Sequence, residues 1–463
     1  MAATVLAGAL LAGCGEGADS PSKEDKPSAP SASAPPPPQG PKVLLTVPSA
    51  YAADKGWQEE LTWLPREYSS RPPVAVAART GVVAYLTASE DGFRLKARRA
   101  ATGEDVFTGT VWEPPKSMGE LGKGDYADEH AELPGVATAY QDGREYVVLW
   151  AHGVAGQDAL STGKEVVRMA VYPADATGDS VTPLREIEVP VNTYGSNSGN
   201  ALNDLQVEDL GTGLQIRWHG PAVTGNNPHG AVAVDLATGT IEACADACAK
   251  GAGQTKTGKG WLVSGFTGGF QVSGVWSNLT AVPPGASAAD WTGNDGEFLS
   301  TRGGNVLSRW RAPKTGRGIT FPVAAVHDTA TGKLKASMAC EWTSRRARPG
   351  TTEPLAAVIS PNGRFIADGG LAFDLQRLHG TCLGATADRK GVLVTSLTDA
   401  GIAYGRVSDQ GDAVVEIDLS KDAGAPKLLP TGTVAPTWAL DNVGVFVTPG
   451  PTGGLLISVL KQS

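Results

Sequence analysis

Short apolar runs separated by turn-forming residues recur along most of the chain, and helical spacing is nearly absent. In one stretch the runs are Leu205-Gln206-Val207, Leu214-Gln215-Ile216-Arg217-Trp218 and Ala231-Val232-Ala233-Val234. In another they are Ala356 to Ile359, Arg364 to Ala367 and Leu371 to Phe373, the first two joined by the hairpin turn Ser360-Pro361-Asn362-Gly363. A recurring phrase ends many of these groups: Ala101-Thr102-Gly103, Ala176-Thr177-Gly178, Ala237-Thr238-Gly239 and Ala330-Thr331-Gly332. Asp235 and Asp328 stand just upstream of two of them, and degenerate copies follow Asp374 and Asp418. Asp accepts turn N–H bonds and Gly takes the positive φ of a reversal, so the phrase predicts a tight turn. A strand after it, such as Leu334 to Met338, completes a unit of four short antiparallel strands.

Repetition of that unit predicts an all-β fold, a β-propeller of seven four-stranded blades over 74–115, 135–191, 204–248, 295–340, 354–385, 391–430 and 435–461. Residues 258–292, with Trp261-Leu262-Val263 and Phe270 to Ser273, supply an eighth blade in the close alternative. A pair of looped β-sandwiches is the competing architecture. The last unit has only three strands, so the ring should close with an N-terminal strand, expected at Val43-Leu44-Leu45-Thr46-Val47.

The first 42 residues read differently. Val5 to Leu11 is too short and apolar a run to span a bilayer but suits a secretory signal. Leu11-Ala12-Gly13-Cys14 resembles the lipobox of bacterial lipoproteins, which implies that Cys14 is the lipidated mature N-terminus. No Lys or Arg precedes Lys23, so the true translation start is expected upstream. Residues 15–42 hold no aromatic or branched aliphatic residue and read as a disordered Pro/Ser-rich tether, leaving 43–463 as the propeller domain. The whole resembles exported bacterial lipoproteins of actinobacterial type that carry a YVTN-like, WD40-like or quinoprotein-like propeller. That resemblance implies the fold and a place on the outer face of the cell membrane, held by lipid alone. WD dipeptides and the tryptophan-docking signature of quinoprotein dehydrogenases are not recognisable.

The net charge of −9 argues against nucleic acid as partner. The basic cluster Arg345-Arg346-Ala347-Arg348 reads as a solvated loop. With Cys14 committed to lipid, Cys244, Cys248, Cys340 and Cys382 form an even set, read as the bridges Cys244–Cys248 and Cys340–Cys382. No nucleophile elbow, P-loop, HExxH or EF-hand loop occurs, and no metal or cofactor is expected. The aspartates of the repeat read as turn acceptors. Six histidines are scattered, of which His219 and His229 flank one loop and can approach each other.

Connections at 116–134, 192–203 and 249–294 are long. The Asn/Ser/Gly-rich segment holding Asn192, Tyr194, Asn197 and Asn200 is a possible ligand loop. Tryptophans such as Trp150, Trp218 and Trp310 lie within strands, where packing is the expected use. Two functions follow. One is a monomeric binding or scaffolding module for a protein, peptide or cell-wall glycan. The other is a propeller enzyme, a lactonase-like hydrolase or quinoprotein-like oxidoreductase with a channel-bound metal or cofactor.

Overall fold

Every strand group read from the pattern forms a sheet, and one more joins them: the protein is a β-propeller of eight blades. The computed structural model describes residues 40–64, 72–116, 133–193, 205–219, 229–244, 251–265, 269–286, 296–311, 323–340, 357–386, 388–408, 413–421 and 425–463.

Blade 1 runs from Val74–Ala77 through Val82–Ser89 and Gly92–Arg99 to Asp105–Gly109. Blade 2 comprises Gly135–Gln141, Arg144–Gln157, Thr162–Pro173 and Arg185–Pro190. Blade 3 comprises Leu205–Asp209, Leu214–His219, His229–Val234 and Ile241–Ala243. Blade 4, the added one, has Gly251–Thr257, Gly260–Gly265, Phe270–Val272 and Trp276–Ser277. Blade 5 spans Glu297–Arg302 to Leu334–Ala339, blade 6 Val358–Ile359 to His379–Cys382, and blade 7 Val392–Leu397 to Lys427–Leu428. What reads in sequence as a long connection at 249–294 therefore holds a whole blade. Its outer strands are short and carry no Thr-Gly phrase, which hides its period.

Blade 8 supplies Trp438–Ala439, Val443–Pro449 and Leu455–Gln462, and the N-terminal segment Tyr51–Leu61 pairs antiparallel with the last of these. The ring is thus closed by an N-terminal strand, but that strand is not Val43–Val47. The latter segment is extended coil: Gln58 bonds the backbone of Lys42 and Val43, while Leu45 and Val47 pack on Tyr51, Tyr404 and Phe446 across the closing seam. The apolar run is a plug, because Tyr51–Leu61 already takes the free edge of Leu455–Gln462.

First strands of neighbouring blades lie against one another, as in blades 1 to 3 and 6 to 8, which puts them nearest the axis. Middle strands are covered on both faces and lose the simple alternation of apolar and polar residues: Phe365–Asp368 and Leu371–Asp374 are buried throughout. The outer strand Ile241–Ala243 is exposed throughout.

Blade 4 is offset from blade 3. Glu242 on the fourth strand of blade 3 bonds Lys256 and Trp261 on the first two strands of blade 4. At one end of the ring the first turns of blades 3 and 5 meet past it. There Arg302 Nη1 donates to the Asp209 carbonyl at 3.2 Å, and a Cβ on Gly211 would lie 3.8 Å from Gly303.

Cys340 and Cys382, at the ends of the fourth strands of blades 5 and 6, are disulfide-bonded with Cα atoms 5.4 Å apart. Cys244 is also disulfide-bonded, and its expected partner Cys248 lies outside the described residues.

Candidate functional site

Strand alternation gives the ring two unlike rims. Turns joining first to second and third to fourth strands lie on one, the turn rim. All other connections leave from the opposite, loop rim.

Three of the four Thr-Gly phrases form third-to-fourth turns on the turn rim; Gly178 of the remaining one instead opens the short strand Gly178–Val181, which pairs parallel with Asp105–Gly109 of blade 1. Gly103, Gly239 and Gly332 have φ of 75°, 78° and 69°, and each donates its N–H to the carbonyl four residues back. Asp235 accepts from the N–H groups of Ala237 and Thr238, Asp328 from Ala330 and Thr331, Asp374 from Gln376 and Arg377, and Asp418 from Ser420. Burial pushes these carboxyls up, but the bonds they accept outweigh it and hold all four below the ordinary value. They are turn acceptors, as the repeat implies.

Two of these turns also receive a tryptophan from the preceding blade. Trp57 donates Nε1–H to Ala100 O at 2.9 Å and lies against Gly103. Trp276 donates to Thr329 O at 3.0 Å and lies against Gly332. Tryptophan docking is therefore present as a packing device between blades. Sequence reading misses it because the indole comes from one blade and the turn from the next.

On the loop rim, the second and third strands of blade 2 overrun their neighbours. Pairing with the first strand ends at Gly135↔Trp150 and with the fourth at Pro190↔Val166, whereas the hairpin continues to Gln157↔Thr162. Its tip is a stiff turn in which Asp158 Oδ1 accepts from Leu160 N at 2.8 Å and Ser161 N at 2.7 Å, leaving Leu160 in solvent. Its root is a buried polar cluster. His152 Nε2 lies 2.8 Å from Glu165 Oε1, and Thr193 donates its N–H to both carboxylate oxygens at 3.1 Å and its hydroxyl to Oε1. Burial pushes the Glu165 carboxyl up, but its bonds to His152 and Thr193 bring it below the ordinary value. With these bonds made, Glu165 works as an anchor for the chain leaving blade 2.

Residues 194–204, which lead from there to blade 3, lie outside the described residues. Trp150, packed with the face of blade 2 that meets blade 3, and Trp218, packed with the face of blade 3 that meets blade 2, both stand at the loop-rim end of the seam between these blades. Each is half-buried and lies over a glycine of a paired strand. A Cβ on Gly135 would lie 2.6 Å from Trp150 Cε2, and one on Gly230 would lie 2.0 Å from Trp218 Cε2. Of the sequence-predicted ligand loop, Asn192 is the one member described, exposed and next to Thr193. Tyr194, Asn197 and Asn200 lie outside the described residues, as do Cys14, His130 and the basic cluster Arg345–Arg348.

His219 and His229 are directly opposite each other in the blade 3 register, one residue beyond Trp218 and Gly230. Among the described residues no three His, Cys, Asp or Glu side chains gather as a metal site needs. Trp150 and Trp218 read as packing residues in sequence. A glycine against the ring does not set them apart, since Gly296 lies 3.2 Å from the buried Trp310 ring in the same way; their partial exposure does.

Fold and site together define a propeller with two half-buried tryptophans at the loop-rim end of the seam between blades 2 and 3. No family model and no curated protein sequence matches the chain. An uncharacterized protein from Listeria monocytogenes EGD-e superposes with a TM-score of 0.37 at 8% identity, over 84% of this chain and 94% of its own. An α-L-arabinofuranosidase from Fusarium graminearum gives 0.32 at 10%, over 86% and 95%. The Dos1 propeller gives 0.30 at 11%, over 88% and 94%. Likenesses this loose carry nothing about activity.

Proposed function

We propose that the protein is a lipid-anchored, extracytoplasmic binding module that holds a protein, peptide or cell-wall glycan partner at its loop rim, above the seam between blades 2 and 3. One observation carries the reading: on the loop rim a protruding hairpin, rooted in the His152–Glu165–Thr193 cluster, and two half-buried tryptophans belong to the same pair of blades, while the repeat aspartates of the turn rim are spent on their own turns. A rigid scaffold presenting long connections on one side suits recognition.

The anchor is Cys14, and residues 15–42 serve as the spacer that lifts the ring from the membrane. The Cys340–Cys382 bridge supports an oxidising compartment. A monomer that acts by binding, with no turnover of its own, completes the proposal.

A photo-crosslinking residue at Asn192, compared with one at Thr331 on the turn rim, tests the surface in the source cells. The expected result is a discrete adduct from position 192, competed by excess unlabelled protein, and none from 331. Equal adducts overturn the assignment. Replacing Cys14 by Ser in the source cells should move the protein out of the membrane fraction; unchanged fractionation overturns the anchor. A stoichiometric metal or quinone in protein purified without chelator, lost together with turnover when its ligands are mutated, favours the propeller enzyme instead.

A further inference from the structure

Seven of the eight seams in this ring are filled in the same way. An apolar cluster joins each blade to the next, from blade 4 round through blade 8 and on to blade 3. Among the described residues none joins blade 3 to blade 4. We propose that the ring is built to part at this seam, face from face, while the blades themselves stay folded. The proposal goes beyond the binding reading above and does not depend on it.

The first observation is what the two faces carry, which the register fixes. In blade 3, Leu205, Val207, Leu214, Ile216, Val232 and Val234 turn toward blade 2 and are buried there. The alternate residues Gln206, Glu208, Gln215, Arg217 and Glu242 turn toward blade 4. Alternation of this kind marks a sheet with one apolar and one polar face, whereas the middle strands of blade 6 are buried on both. Blade 4 has the same asymmetry. Leu262, Phe270 and Val272 are buried against blade 5. On the side toward blade 3, Lys256, Trp261 and Val263 are only half-buried and Gln271 is exposed.

The second observation is how these faces are joined. Lys256 donates its N–H to Gln215 Oε1 at 2.9 Å, its ammonium pairs with Glu242, and Trp261 donates Nε1–H to Glu242 at 3.2 Å. Arg217 spends its Nη2 inside its own blade, on Gln206 Oε1 at 2.7 Å and Glu208 Oε1 at 2.8 Å. The Glu242 side chain is 54% exposed. An ion pair so open to water contributes little and weakens with salt, whereas an apolar cluster holds in proportion to the area it buries.

Third, parting this seam breaks no strand pairing. Blades 3 and 4 are separate sheets, each complete in itself. Blade 4 stays with blade 5, held by Phe270 against Trp310 and by Trp276 on Thr329 O. At the turn rim the Arg302 bond to the Asp209 carbonyl keeps blades 3 and 5 together and serves as the pivot. Local opening of this sort falls where apolar contact is least.

Two matched comparisons on the full chain test the proposal. In the wild type, the amides of Lys256 and Leu236 each donate across a seam to a glutamine Oε1 at 2.9 Å, Gln215 for one and Gln141 for the other. In hydrogen-exchange NMR, corrected for intrinsic rates, the Lys256 amide should exchange about tenfold faster or more. That ratio should rise about twofold between about 0.05 and about 0.5 M NaCl. The second comparison uses Gln215 and Ile216, adjacent, fully buried and facing opposite seams. Gln215→Cys should react with a disulfide thiol reagent about tenfold faster or more than Ile216→Cys, and faster than it unfolds globally by circular dichroism in the same buffer. Equal exchange of the two amides, a ratio unmoved by salt, or labelling of Gln215→Cys no faster than of Ile216→Cys overturns the proposal. If Gln215→Cys fails to fold, the wild-type amides decide.

Discussion

Two seams of this ring begin with similar residues and end with different uses. Between blades 4 and 5, Trp310 is sealed by Phe270 from blade 4 and by His327 beside it, with ring centres 6.0 and 5.7 Å away. Trp276 then closes the outer end by docking on Gly332. Between blades 2 and 3 no aromatic ring from the facing blade covers Trp150 or Trp218 among the described residues, and both stay half open. The identity of a residue in a repeat therefore does not decide its role. What the facing blade offers decides it: Trp310 has Gly296 beneath it as Trp150 has Gly135, and the aromatic ring above is what makes the joint.

Mutation at the sealed seam should have the largest effect. Trp310→Ala removes a fully buried indole and leaves a cavity, at an expected cost of about 3–5 kcal/mol in chemical denaturation. A loss below about 1 kcal/mol would mean that the seam is not closed as described. Reduction or Cys340→Ala opens a bridge across 42 residues between blades 5 and 6, with an expected cost of about 2–4 kcal/mol.

Acid should separate the seams next. Burial lowers the His327 pKa from 6.5 to about 4, the bond from Nδ1 to Gly332 O opposing this only in part, and Nε2 has no partner among the described residues. Above pH 6.5 the ring is neutral folded or unfolded, and it contributes no pH dependence. As pH falls from 6.5 to about 4 the unfolded chain takes up a proton that the folded one refuses, so stability falls by about 3 kcal/mol. Asp399 opposes this trend. Burial and the neighbouring Asp441 raise its pKa to about 6, so it loses stability as pH rises through the same range. The difference between wild type and His327→Phe isolates the histidine: the variant should lack the acid limb. The repeat aspartates, held low, act only below the ordinary carboxylate range, so Asp374→Asn should change the curve there and not at pH 5.

The open seam should respond least. Trp218→Ala is expected to cost about 1–2 kcal/mol, since part of the ring is already in water. A loss as large as that of Trp310→Ala would erase the distinction between the sealed seam and the open one.

Much of this architecture is legible in the chain because one local feature recurs: Asp-x-x-Thr-Gly is intact in blades 3 and 5, and partial copies of the same turn stand in blades 1, 6 and 7. Turn chemistry is local, so it survives reading in one dimension. Blade 4 is legible only as the alternative eighth unit over 258–292, because its fourth strand is only Trp276–Ser277 and its turn lacks the phrase. The closing strand is misplaced by a few residues because Val43–Val47 is the more apolar run, whereas Tyr51–Leu61 is chosen by the edge it must cover. Asn192 is found from loop composition. Trp150 and Trp218 are not, because their exposure depends on what the facing blade places over them, which no single strand records. The His152–Glu165–Thr193 cluster is hidden because its members lie 13 and 28 residues apart and meet only through a long hairpin.

The contrast between the two seams can be read directly from indole N–H exchange, with tryptophan labelled by ¹⁵N and the signals assigned by single Trp→Phe replacements. The account predicts that the Trp310 N–H, donated to Ser308 in the sealed seam, persists for hours in D₂O. The N–H groups of Trp150 and Trp218 should exchange within minutes and slow down when ligand is added. Equal protection of all three in the free protein would contradict it.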